Sequence, residues 1–169
     1  KRQTIWLLAS WSLLGLTVSI DLRRLLKWAG PGLWMGCILI AATLVMGTTV
    51  NGASRWLVVG PLQIQPSELV KPFVVLQAAN LFASWTRMNI DQKLLWLASF
   101  GGLLLLILKQ PNLSTAALMG LTLWMVALAA GLRWRSLLGT AFAGGALGTA
   151  SILINEYQRL RVVSFLDPW

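Results

Sequence analysis

The chain has 169 residues, of which 57% are hydrophobic and only 11% charged, with a mean hydropathy of +0.71. Soluble domains carry about a quarter charged residues, and the apolar residues here fall in six blocks of roughly 15 to 20, the length that crosses a bilayer as a helix. An ordinary soluble domain is excluded. The composition predicts an all-α polytopic membrane protein of about six transmembrane helices, against the rival of fully buried helices in a large soluble protein.

Net charge is +9, from 14 Lys+Arg against 5 Asp+Glu. No basic stripe is interleaved with base-stacking aromatics, so nucleic acid is not the expected partner. The charge lies between the apolar blocks, which points to phospholipid headgroups or an anionic substrate. The single Cys37 sits inside an apolar block and reads as a small buried hydrophobe. With no His, the chain has neither a His metal site nor a His base, and no cofactor is evident. Lys1-Arg2-Gln3 opens like a signal peptide, yet no small-residue cleavage site and polar mature chain follow. In the absence of an initiator Met, the chain is expected to be part of a longer one.

In chain order, the predicted spans are 5–20, 33–50, 68–85, 94–108, 113–132 and 136–154. Between the first two, residues 21–27 read as a tight basic turn and Gly30-Pro31-Gly32 as a second break. A loop at 51–67 follows. Ser67 is expected to cap the next helix, with Glu68 in its first turn, where the helix dipole favours a carboxylate. Pro66 cannot continue a helix from before it, and Pro72 is expected within the first turn, where proline is tolerated. Lys109–Thr115 is a further polar interruption, and the tail 155–169 is polar again.

Six spans divide the loops into two sets. One holds Arg23, Arg24, Lys27, Arg87, Lys93, Arg133 and Arg135; the other holds Lys1, Arg2, Arg55, Lys71, Lys109, Arg159 and Arg161. Equal numbers of cations leave the positive-inside count undecided. The first set are short basic turns of cytoplasmic character. The second are longer and mixed with Pro, Gln, Asn and acids, which places them outside. Trp34, Trp56, Trp85, Trp96 and Trp134 fall near span ends, as interfacial belts require. Gly144 and Gly148, four apart, give the last span a small-xxx-small face for helix packing.

The residues able to carry chemistry gather in 51–71, NGASRWLVVGPLQIQPSELVK. Arg55 is either a fork for phosphate oxygens or an interfacial arginine reaching headgroups. Glu68 and Lys71 are three apart on one helix face; inside a span such a pair is either a functional site or a structural ion pair. Gln63 and Gln65 add amide donors. Gln110-Pro111-Asn112 repeats the pattern at a second Pro-broken helix start, and helix N-termini suit anions. In the tail, Arg159 and Arg161 are two apart and equally read as a basic tail at headgroups.

NGASRW followed by GPLQIQPSELVK resembles the SEDS family (shape, elongation, division and sporulation proteins), to which FtsW and RodA belong. LKQPNLST looks like the family's second signature, usually QPDLGT, and YQRLRVVSFLDPW looks like the entry to its large extracellular loop, with FLDPW closer to the FtsW branch. The resemblance covers the whole chain but only about spans two to seven of a ten-helix bundle, and it places 51–67, 109–115 and the start of the large loop at 155–169 outside. It implies a multi-pass protein of the bacterial inner (plasma) membrane that polymerises lipid II into peptidoglycan glycan strands. The implied partners are a class B penicillin-binding protein, FtsI-like, and other divisome proteins.

By motif, the resemblance implies substrate-binding roles for Arg55, Glu68, Lys71, Arg161, Gln65 and Gln110. Arg55, Lys71 and Arg161 would hold the pyrophosphate while Glu68 orients Lys71, and a divalent cation (Mg2+ or Mn2+) is allowed for. Asn112 and Ser114 replace the usual Asp and Gly of the second signature. The family's catalytic Asp is expected beyond Trp169, and Asp167, at a position usually Asn, is not assigned as the base. This stretch alone is therefore expected to be inactive. Two other readings stay open: a flippase or transporter of a lipid-linked anionic precursor, and a scaffold that recruits a penicillin-binding protein.

Overall fold

The computed structural model describes residues 2–50, 53–59, 62–110 and 112–154, together with Glu156, Arg159, Leu160 and Val163. Among them, the elements follow as α1 (Arg2–Ser19), α2 (Leu22–Met46), β1 (Thr48–Val50), β2 (Ala53–Val59), β3 (Leu62–Ile64), α3 (Pro66–Ala83), α4 (Ile90–Lys109), α5 (Leu113–Ala129) and α6 (Trp134–Ile154). In length and composition, α2, α4 and α6 suffice to cross a bilayer, and α5 is a shorter apolar helix. The chain is a multi-pass membrane protein. Leu14, Val45, Leu105, Met125, Phe142 and Ile154 stand exposed on the helix surfaces, as lipid-facing side chains do. Where hydroxyls fall on these helices, as at Ser12, Thr17, Ser99 and Thr122, each donates to the carbonyl four residues back, which satisfies them where no water is available.

α3 is the centre of the packing and lies against α2, α4 and α5. Its buried stripe is Val70, Val74, Ala78 and Leu81, spaced for one face of a helix. The matching face of α2 is Ala29, Leu33, Ile40 and Thr43, with Gly32 and Gly36 between. A Cβ at Gly32 would stand 2.3 Å from the Phe73 ring, and one at Gly36 would stand 2.2 Å from Val70 Cγ2. Van der Waals packing is a main force joining helices in lipid, and it requires small residues where backbones approach. Phe100, Leu103 and Ile107 of α4 and Ala116 and Met119 of α5 complete the core.

This seam corrects the expectation for residues 21–32. They contain neither a basic turn nor a break: Asp21 caps α2, its Oδ1 accepting from the Arg23 N–H at 3.1 Å, and the helix runs through Pro31 to Met46. Proline withholds one ladder bond and presses on the carbonyl four residues back, but membrane helices tolerate this where neighbours and water compensate. The flanking glycines are contact residues and not punctuation. The small-residue face expected on α6 is the one left unpacked, since a Cβ at Gly144 or Gly148 would meet nothing within 4 Å. α6 instead packs against α5, tied by the Trp124 indole N–H, which donates to the Leu137 carbonyl at 3.0 Å.

The expected loop at 51–67 is largely a small antiparallel sheet in the order β1-β2-β3. Val50 pairs with Ala53 and Val59 with Leu62, so two-residue connections join the strands. α3 begins at Pro66, two residues after the sheet ends. α5 ends on Gly131, whose φ of 73° needs glycine; its N–H donates to Leu128 O, and the Leu132 N–H to Ala127 O, a helix stop that satisfies the last carbonyls.

The seam makes a direct prediction. Gly36→Ala is expected to destabilise the protein by about 1–3 kcal/mol through overpacking against Val70, read as a lowered unfolding temperature in detergent. Gly144→Ala should leave that temperature unchanged or slightly raised; equal effects of the two would contradict the seam.

Candidate functional site

The sheet and the first two turns of α3 form one wall. β2 packs against α2 and touches α3, so the strand carrying Arg55 is held against the helix seam. The register of β1 with β2 shifts there: Thr48 pairs with Trp56 and Thr49 with Ser54. Arg55 is thus the extra residue of a β-bulge. A bulge leaves one residue outside the regular pairing, bends its strand and changes side-chain direction.

At the other edge of the sheet, β3 leads into α3 through Gln65. Gln65 is the N-cap residue in extended conformation, without a side-chain capping bond; its carbonyl accepts from the Glu68 N–H at 3.0 Å. Ser67 is therefore not the cap. It lies inside the first turn, buried, and its Oγ has no hydrogen-bond partner among the described residues. A buried hydroxyl left unpaired costs about 1–3 kcal/mol, and Ser67 carries that cost within the first turn of α3. Pro72 also lies deeper than expected, at the seventh residue of α3, so the Glu68 carbonyl lacks its usual helical donor.

Glu68 and Lys71 do meet. Lys71 Nζ donates to Glu68 Oε1 at 2.6 Å, with the side chains 30% exposed at Lys71 and 52% at Glu68. An exposed pair at this spacing is worth only ~0.3–0.5 kcal/mol. Its consequence is geometric, because it holds an ammonium beside a helix N-terminus, whose free N–H groups and dipole favour anions.

The second motif reaches the same end of the bundle. Gln110 terminates α4 and is buried; its Nε2 donates to the Ile40 carbonyl at 3.2 Å and to Thr43 Oγ1. Thr43 Oγ1 in turn donates to Ile40 O at 2.7 Å. These residues lie in the last two turns of α2, just before β1. Gln110 is accordingly a strut between α4 and α2, where the sequence expected a ligand facing the substrate. Thr43, its partner, gave no sequence signal, because the contact spans 67 residues. Asn112 caps α5, its Oδ1 accepting from the Thr115 N–H at 3.4 Å, so Asn fills the cap role of the usual Asp. Lys109 is exposed at the last turn of α4. Arg161 and Asp167 lie outside the described residues, as does the side chain of Arg55. Among the described residues, no group of three or more Cys, Asp or Glu gathers as metal ligands would.

A family model described as "Cell cycle protein", FTSW_RODA_SPOVE, matches residues 1–169. A relative from Synechocystis sp. named "Probable peptidoglycan glycosyltransferase FtsW" is 54% identical over 124 residues, covering 73% of this chain and 32% of its own length. An FtsW relative from Mesostigma viride is 38% identical across all of this chain and 41% of its own length. Among solved structures, a chain from "Structural coordination of polymerization and crosslinking by a peptidoglycan synthase complex" aligns with a TM-score of 0.79 at 33% identity, over 99% of this chain and 51% of that one. The rod shape determining protein RodA of Thermus thermophilus aligns with a TM-score of 0.74 at 33% identity, over 86% of this chain and 49% of its own. The chain thus spans less than half of the length of these curated relatives.

The strut can be measured on its own. Gln110→Leu and Thr43→Val are each expected to cost about 0.6–1.7 kcal/mol, the range found for hydrogen bonds between membrane helices. The double variant should cost clearly less than the sum, by thermal unfolding in detergent. Strict additivity would mean that the two side chains do not act as a pair.

Proposed function

Because the chain belongs to the FtsW/RodA/SpoVE family, we propose that it forms the substrate-binding half of a peptidoglycan glycosyltransferase that polymerises lipid II in the bacterial inner membrane, in cell division. The observation that carries this reading is the wall itself: Arg55 at the bulge of β2, the middle strand of the sheet that leads into α3, followed by a Lys71–Glu68 pair on the first turns of that helix. A guanidinium, an ammonium and a helix N-terminus on one short stretch suit a pyrophosphate, the group by which the disaccharide-peptide of lipid II is joined to its lipid.

In glycosyl transfer, an acceptor sugar hydroxyl attacks the anomeric carbon of the donor and the lipid pyrophosphate departs with the bonding electrons. Negative charge grows on the leaving oxygen. Fixed cations aimed at that charge lower the barrier more than they tighten substrate binding. Arg55, Lys71 and Arg161 take this role, with Glu68 holding Lys71 in place. Gln65 ends the sheet at the helix mouth, and Gln110 positions the wall by tying α4 to α2. A divalent cation, Mg2+ or Mn2+, would arrive with the pyrophosphate oxygens, since Mg2+ is bound through substrate phosphates and one or two carboxylates. The acceptor hydroxyl needs a carboxylate base, which we place beyond Trp169. The partner is a class B penicillin-binding protein, which would cross-link the strands.

The test is polymerisation of lipid II by the full-length protein with that partner. Arg55→Ala and Lys71→Ala are each expected to lower the rate about 100-fold, the usual loss when one donor to a developing charge is removed, with unchanged unfolding temperature. Glu68→Gln should cost less than Lys71→Ala, because it removes the orienting partner and leaves the cation. Unchanged polymer from Arg55→Ala would turn the reading to a scaffold. Label translocation in liposomes without polymer from the wild type would turn it to a flippase.

A further inference from the structure

A polar recess lies at the end of the α2–α3 pair opposite the wall that carries Lys71. A cleft of about 540 Å³ opens between the start of α2, the end of α3 and the start of α4, within the size range of small-molecule sites. Its charged lining residue is Lys27, and no carboxylate lines it. Gln77 lines it from α3. This side chain is 5% exposed, and among the described residues its amide makes no hydrogen bond, although it lies in a helix otherwise packed with apolar side chains. Ser67 Oγ is the buried side-chain polar atom without a partner among the described residues, so the Gln77 amide tip reaches the cleft, where it is free to meet a polar ligand. Asn80 lies three residues further along α3 and adds two more amide N–H groups to the lining.

The rest of the lining fits an amphipathic molecule. Trp34 and Trp96 flank the cleft with Met88, and the absence of a Cβ at Gly30 lets the Trp96 ring approach, since that atom would stand 3.0 Å from Trp96 Cη2. Indole rings with a free N–H sit at headgroup level in a bilayer. Arg23 and Arg24 precede Lys27 by about one turn of α2, and Lys93 stands over the Trp85 ring at 5.3 Å. The lining therefore offers one ammonium, the amides of Gln77 and Asn80, and two indoles.

We propose that this cleft binds the phosphate of an anionic phospholipid in the leaflet opposite the Arg55 wall, with Lys27 and Gln77 as headgroup ligands and Trp34 and Trp96 against the glycerol and upper acyl chains. The site is independent of the transferase reading and would exist in a flippase or a scaffold equally. Charge complementarity and the tryptophans select a lipid over a segment of protein.

The full-length protein, delipidated in a neutral detergent, would be titrated with short-chain phosphatidylglycerol, phosphatidylcholine and inorganic phosphate. Unfolding temperature and lipid retained in native mass spectrometry are the readouts. Phosphatidylglycerol should stabilise the protein and be retained, while the other two do neither. Lys27→Ala and Gln77→Leu should each weaken it about tenfold, with a lipid-free unfolding temperature that is unchanged for Lys27→Ala and not lowered for Gln77→Leu. Gln77→Leu keeps a similar side-chain volume and removes the amide without burying a charge, so its effect separates binding from folding. Arg135→Ala, a cation outside the cleft, should leave retention unchanged. Equal response to phosphatidylcholine, equal binding of free phosphate, a similar loss in Arg135→Ala, or a protein segment seen in the cleft in an experimental map would each overturn the proposal.

Discussion

Close approach of α2 to α3 is the constraint on which the rest depends. Lipid tails are as apolar as the side chains they would replace, so helices in a membrane gain little from burying hydrocarbon and must gain from contact. At Gly32 and Gly36 the α2 backbone has no side chain to hold α3 away, and Phe73 and Val70 enter the space. Those two residues bracket Lys71, and Val70 follows Glu68 by two. The depth of the seam therefore sets the height and rotation at which the first turns of α3 present their charges. The sheet inherits the same reference, because β1 continues from α2, β3 leads into α3, and β2 lies between them.

The buried polar contacts extend that frame. Gln110 and Thr43 place an amide and a hydroxyl where no water competes, and each leaves the other satisfied. A fully paired network of this kind rigidifies a core. Its effect here is to fix the α4–α5 junction against the last turns of α2. Two segments whose contact spans 67 residues of sequence thereby sit at one end of the bundle. Ser67, buried without a partner in the first turn of α3, stands out against this background.

Charge inside hydrocarbon was the legible part. Arg55, Glu68 and Lys71 could be singled out because an apolar chain has few reasons to keep them, and the Glu68–Lys71 contact follows from helical spacing alone. What stayed hidden needed a partner distant in sequence. A bulge at Arg55 exists only relative to β1, and the strut at Gln110 only relative to α2. Gly30-Pro31-Gly32 misled for a related reason. By local propensity these residues end a helix, and only the facing Phe73 and Trp96 make them contact positions in a continuous one. Conversely, Gly144 and Gly148 have the spacing of a packing face, and spacing alone did not supply a neighbour.

The two prolines inside these helices show how the frame serves both of its ends. Pro31 withholds the helical donor from the Lys27 carbonyl, and Pro72 withholds it from the Glu68 carbonyl. Each residue so affected is charged: Lys27 lines the cleft and Glu68 stands on the wall that carries Lys71, at opposite ends of the α2–α3 pair. A free carbonyl in the hydrocarbon centre would be expensive, but near the ends water and headgroups can reach it. The ladder is thus interrupted where solvent or a ligand can compensate, and it is continuous between Gly32 and Gly36, where the helices touch most closely. A rigid middle with relaxed ends is the arrangement in which charged side chains can adjust to an anion without loosening the seam that positions them.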